Sequence, residues 1–241
     1  MVKKNLLMFL FAAGFLSILI APAAADRRSY VWTYEHATMP KGEAEIEYYH
    51  TLEYPSEANP KISTWKQNVE FEYGLTDRWD ISLYQNFKQT NTAAANTFAY
   101  DGWKLRTRYR LSERGDYIID PLLYLEYQGP NDLSKAGVLE GKIILAKDIS
   151  KLNLAYNQIF KQELKGDGAS QNEYAAGASL EFNPAFKLGL EAKGSYTSGK
   201  HYVGPTVSFA REKGWINIGF LRGIGNGADQ MQSRLLMGIY I

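Results

Sequence analysis

Trp103–Leu111 reads WKLRTRYRL, and its two parities differ in kind. Odd positions hold Trp103, Leu105, Thr107, Tyr109 and Leu111; even positions hold Lys104, Arg106, Arg108 and Arg110. Successive side chains of an extended strand point to opposite faces, so this stretch has an apolar face and a cationic one. On a helix the same charges would spread round every side.

The pattern recurs outward in both directions. In 79–87 the odd positions are Trp79, Ile81, Leu83, Gln85 and Phe87, and the even ones are Asp80, Ser82, Tyr84 and Asn86. In 186–196 the even positions Phe186, Leu188, Leu190, Ala192, Gly194 and Tyr196 alternate with Lys187, Gly189, Glu191, Lys193 and Ser195. The last residues, Arg234–Ile241 (RLLMGIYI), alternate to the end. The periodicity predicts strands near 43–54, 62–73, 79–88, 100–111, 117–128, 138–148, 152–163, 172–182, 186–197, 202–210, 215–222 and 231–241. Most have the length of a tilted strand across a bilayer, about 9–11 residues. The connections alternate as well. Short ones (74–78, 112–116, 149–151, 183–185, 211–214) face mostly longer ones (55–61, 89–99, 129–137, 164–171, 198–201, 223–230).

The N-terminus carries Lys3 and Lys4, an apolar run from Leu6 to Ile20, and Ala-Pro-Ala-Ala-Ala before Asp26. That order predicts a cleaved signal peptide over 1–25, a lead-in over 26–41 and one barrel domain over 42–241. The chain has no cysteine, which excludes a disulfide framework and a lipoprotein anchor. Without Lys3 and Lys4, its 27 basic residues become 25, against 26 acidic ones. Such a balance offers no field for nucleic acid.

After residue 25 no apolar run approaches the ~20 residues of a spanning helix. A chain this polar crosses a membrane only if half of each spanning segment faces water. The reading is therefore all-β: a transmembrane antiparallel up-and-down β-barrel of about twelve strands, with its apolar parity outward. An even strand count puts both termini on the periplasmic side. A periplasmic β-sandwich or barrel would show the same alternation with the apolar face inward. Twelve strands closed that way would enclose more space than side chains fill. Aromatic residues fall into two bands, Tyr73, Trp79, Phe182, Phe186 and Phe209 at the short-turn rim and Trp65, Phe87, Trp103, Tyr127, Phe160, Tyr174 and Tyr196 towards the other, as two bilayer interfaces require.

Two stretches, MPKGEAEIEYYHTLEY (Met39–Tyr54) and EFEYGLTDRWDISLYQNF (Glu70–Phe87), resemble hairpins of uncharacterised porin- or transporter-like outer-membrane proteins of Gram-negative bacteria. The YGLTDRW turn is the most recognisable element. The resemblance implies envelope location and barrel type, with outer-membrane lipid and the barrel-assembly machinery as partners. It carries no catalytic residues. Such families often end in Phe or Trp, whereas this chain ends in Tyr240-Ile241.

The polar parity of the first strands supplies the candidate site. Glu43, Glu45 and Glu47 are expected to point inward on the first strand, Glu70 and Glu72 on the second, Asp80 on the third, and Lys104, Arg106, Arg108 and Arg110 on the fourth. Asp120 and Asp148 join from the fifth and sixth. One reading is a charged constriction that filters solutes; the other is a structural ion-pair network that fills the wall. No metal spacing and no cofactor motif is present. Gly223–Gly227 is a turn rather than a phosphate loop, lacking a following Lys-Ser/Thr. His50 has Leu52, not serine, two residues on, so the signature of a barrel phospholipase is missing. The lead-in, with Arg27–Tyr34 (RRSYVWTY), reads as an interfacial or lumen-entering segment. The expected function is a narrow porin- or transporter-like channel for small solutes; the alternative is a non-conducting structural or interaction barrel.

Overall fold

The computed structural model describes residues 28–225 and 227–241. The expected signal peptide lies outside them. The described chain forms twelve antiparallel strands: Ala44–Tyr54 (β1), Ser63–Thr76 (β2), Trp79–Asn91 (β3), Asn96–Arg110 (β4), Asp120–Gly129 (β5), Val138–Ile149 (β6), Leu152–Glu163 (β7), Ser170–Asn183 (β8), Phe186–Ser195 (β9), His201–Arg211 (β10), Gly214–Ile224 (β11) and Met231–Tyr240 (β12). Each pairs with its sequence neighbours, and β1 pairs with β12 from Glu45↔Tyr240 to Tyr54↔Met231. The sheet is a closed up-and-down barrel, which leaves no strand edge unpaired.

The apolar parity faces out. Leu83 is 47% exposed while its neighbour Tyr84 is 4% exposed. Ile46, Phe71, Ile81, Leu105, Leu125, Ile143 and Leu190 share the outer wall. This orientation rules out the β-sandwich alternative, in which these side chains would form a core. A continuous apolar band of this kind is stable against hydrocarbon and not against water. Rings group at both ends of the band: Phe186 lies 5.5 Å from Phe182 and 5.1 Å from Phe209, while Trp103 and Tyr127 lie 5.4 Å apart towards the other rim.

Two connections differ from expectation. β3 and β4 extend past the wall, so the expected loop 89–99 shrinks to a turn at 92–95, closed by Thr92 N–H to the Ala95 carbonyl at 3.0 Å. Phe87 stacks on Phe98 (5.9 Å) and meets Tyr100 edge to face (5.7 Å), which carries the hairpin outward. A bulge absorbs the register shift, with Gly102 at φ 91°, where a side chain would be strained. Conversely, the β4–β5 link runs over 111–119, because Gly115 N–H binds the Asp120 carboxylate at 2.9 Å and delays β5 to Asp120-Pro121.

The lumen is not empty on the short-turn side. Residues 28–39 run inside the barrel, and Tyr30 and Val31 are fully buried there. Apolar side chains on the inner parity pack against this segment. Leu122, Ile144 and Tyr124 surround Tyr34, while Ala146 and Ala155 meet Tyr30. Leu221, Leu236 and Trp215 cluster with Val31 and Trp32.

Candidate functional site: a plugged lumen

The plug has little regular structure of its own, so the wall must satisfy its backbone polar groups. Glu191 on β9 does most of this. Its carboxylate accepts the N–H groups of Val31 (2.8 Å), Trp32 (2.9 Å) and Thr33 (2.9 Å) and the Thr33 hydroxyl (3.0 Å). Asn157 on β7 accepts Tyr34 N–H at 2.6 Å and donates to the Tyr34 carbonyl at 2.8 Å. Asn217 on β11 and Ser208 on β10 donate to the Arg28 carbonyl. Arg234 on β12 donates to the Val31 carbonyl at 3.0 Å. Tyr30 donates to Asn153 at 2.9 Å. Inward glycines leave room for the side chains: a Cβ built at Gly177 would collide with the Tyr30 ring, and one at Gly219 with Val31 and Trp32.

The expected charge sector divides in three. Its centre is a buried network. Arg106 lies between Glu70 and Glu72, with Glu70 Oε1 at 2.8 Å, close in charge but off the hydrogen-bond axis. Arg106 also donates to Tyr84 at 2.7 Å and Ser82 at 2.5 Å. Arg108 grips Asp80 (2.7 Å) and Glu72. The one proton of the Tyr49 hydroxyl lies between Glu70 (2.6 Å) and Glu47, and its oxygen accepts from Arg28 at 2.9 Å, tying the network to the plug. Glu45 takes the Trp215 indole N–H at 2.5 Å, and Asp80 takes Met39 N–H at 3.0 Å.

Four expected members stand apart from it. Glu43 precedes β1 in the Gly42 turn and is exposed, because the chain reverses at the rim before its side chain reaches the lumen. Arg110 sits at the rim on Thr38 (2.9 Å), the Asp77 carbonyl and Glu113 (3.1 Å). Asp120 folds back onto the β4–β5 link, and Asp148 pairs with Arg114 at 2.7 Å. Lys104 belongs to a second network above the plug. It meets Glu126 at 3.1 Å, Lys142 meets Glu140 at 2.8 Å, and Lys161 meets Glu173 at 2.7 Å.

That second network lines a vestibule of about 330 Å³ that opens between the longer loops and is floored by Trp32 and Tyr34 of the plug. Glu191, Asn157, Lys193 and Arg234 were not singled out by sequence reasoning. They sit on the polar parity like any lumen residue. The available signal was apolar residues on the wrong parity, Leu122 beside Leu123, Ile144 beside Ile143 and Leu236 beside Leu235, which mark where the wall meets protein instead of water.

His36 sits in the plug near the rim, 2% exposed, with neither ring nitrogen hydrogen-bonded. Burial lowers its pKa below the usual value; Arg110 and Arg114 push the same way, and Asp120 and Glu113 oppose. A depressed histidine binds its proton more readily when released, so docking is favoured above the free value of about 6.5 and weakens as pH falls through it. Limited proteolysis of residues 28–39 should accelerate between pH 7.5 and 5.5, and His36→Gln should flatten that dependence.

No protein-family model and no curated protein matches the chain significantly. Solved structures do. An outer membrane channel from Pseudomonas putida F1 superposes with a TM-score of 0.61 at 13% identity, over 88% of this chain and 100% of that one. The KdgM porin gives 0.57 at 12% identity over 81% and 98%, and the NanC porin 0.51 at 12% over 82% and 100%. At these identities the similarity establishes the fold. The chain is built as outer-membrane porin and channel barrels are.

Proposed function

We propose that this chain is an outer-membrane channel for small solutes, held shut in this conformation by its own residues 28–39. The observation that carries this reading is the vestibule itself: a polar, water-accessible cavity lined in part by Trp32 and Tyr34 of the docked segment. The segment is held by side-chain bonds that water can replace, so release would connect the vestibule to the opposite rim. The outward apolar band and the barrel likeness support placement in the outer membrane. Size exclusion by the narrow lumen and its charges of both signs would govern passage.

The buried arginine network favours a second reading, a non-conducting barrel whose lumen is permanently filled. The two separate on one test. The side chains of Ser29 in the plug and Lys187 on β9 meet at 3.0 Å, so Ser29→Cys and Lys187→Cys can be joined by a short reducible bis-maleimide, and the chain has no other cysteine. In planar bilayers the wild type should conduct. The crosslinked double variant should be silent and should recover on reduction. Currents unchanged by the crosslink would defeat gating by this segment, and a silent wild type would favour the filled barrel.

A further inference from the structure

The vestibule carries a cation surplus confined to one wall. Lys104, Lys142 and Lys161 are matched by glutamates. Lys193 and Arg234 are not: neither has a carboxylate within 4.0 Å among the described residues. Both flank the indole of Trp32. Lys193 Nζ lies 5.3 Å from the Trp32 ring and 5.3 Å from the Tyr202 ring, and Arg234 Cζ lies 5.2 Å from Trp32. Arg234 spends Nε on Thr51 (2.8 Å) and Nη1 on the Val31 carbonyl (3.0 Å), which leaves Nη2 without an acceptor among the described residues. Trp32 Nε1, itself buried, also lacks an acceptor among the described residues. An excess of donors and positive charge in one corner calls for an acceptor with negative charge.

We propose that Lys193 and Arg234 form a carboxylate-binding subsite over Trp32, and that the vestibule takes up small, single-ring organic acids. A carboxylate bridging an ammonium and a guanidinium makes charge-assisted bonds to both and relieves their mutual repulsion. Trp32 and Tyr202 both line the cavity, and the parts of them that border it would meet the ring. A cavity of about 330 Å³ has room for a single-ring solute. This deepens the channel reading and rests on it, since the bound acid would lie on the transit path.

Two ring types share this chemistry, aromatic and sugar, so benzoate and glucuronate are the probes. Each is titrated by calorimetry into the refolded full chain in detergent, with neutral benzamide and glucose alongside. Binding of either acid should exceed that of its neutral analogue by about tenfold or more and should fall about tenfold in Lys193→Gln and in Arg234→Gln. Arg234→Lys should retain most of the affinity. Preference for benzoate assigns an aromatic acid, and preference for glucuronate a sugar acid. Absence of binding, equal binding of the neutral analogues, or wild-type affinity in Lys193→Gln overturns the subsite. Lys193 meets the plug only through the Trp32 ring and makes no hydrogen bond to it among the described residues, so its variant remains informative even where Arg234→Gln misfolds. Calorimetry needs no current: binding without conductance would defeat the channel reading and leave the subsite standing, and conductance without binding would do the reverse.

Discussion

Glu191→Ala should release the plug and raise conductance more than any other single substitution in the lumen. One carboxylate accepts three consecutive backbone N–H groups and a hydroxyl, all from Val31–Thr33. The three amides point to one place, as in the backbone concavities that bind anions. With alanine they would face a pocket with no acceptor. Each buried donor left unpaired costs about 1–3 kcal/mol. Even the low end of that range, summed over the three, shifts the docking equilibrium more than about a hundredfold towards release. Glu191→Gln keeps the shape and one accepting oxygen and should fall between. Two readouts check this: open probability in planar bilayers, and the rate of proteolytic cutting within 28–39. Faster cutting with unchanged currents would mean that the plug leaves without opening a path. No change in either would mean that Glu191 does not hold the segment.

The barrel was legible because lipid and water lie on opposite sides of one sheet, and that asymmetry prints a two-residue period on each strand. β7 occupies the expected 152–163. The hairpin β3–β4 was misjudged because Asn96–Asp101 stand clear of both lipid and lumen and follow no parity rule. The plug left only a partial, aromatic-rich alternation in Arg27–Tyr34, too short to set its path. Its partners lie far away in sequence, Asn153 to Tyr30 across 123 positions and Arg234 to Val31 across 203. A glutamate that caps three amides and one that faces water look the same in a sequence. The paired Arg106 and Arg108 were visible as inward cations, yet nothing local distinguishes a cation lining a path from one sealed among carboxylates. The separating facts are exposures of 1% and 5%.

Those exposures decide what Arg106→Met does. If Arg106 lined an open path, its loss would move ion selectivity towards cations in a barrel that folds normally. It is sealed instead, with Glu70 at 0% exposure, so the variant leaves the Glu70 carboxylate buried without its cation, while Glu72 keeps Arg108. Removing one member of a buried ion pair costs about 3–5 kcal/mol, because the remaining charge has lost both its water and its partner. The folded barrel should therefore lose most of its margin, seen as a fall in the urea midpoint followed by gel mobility. Adding Glu70→Gln to Arg106→Met should restore much of it, since the charge that lost its partner is then gone and Glu72 stays paired with Arg108. Arg78→Met is the control: its partner Glu113 is half exposed at the rim, water screens the pair, and the midpoint should not move. A folded Arg106→Met barrel with a normal midpoint and altered selectivity would place the arginine on the conduction path after all.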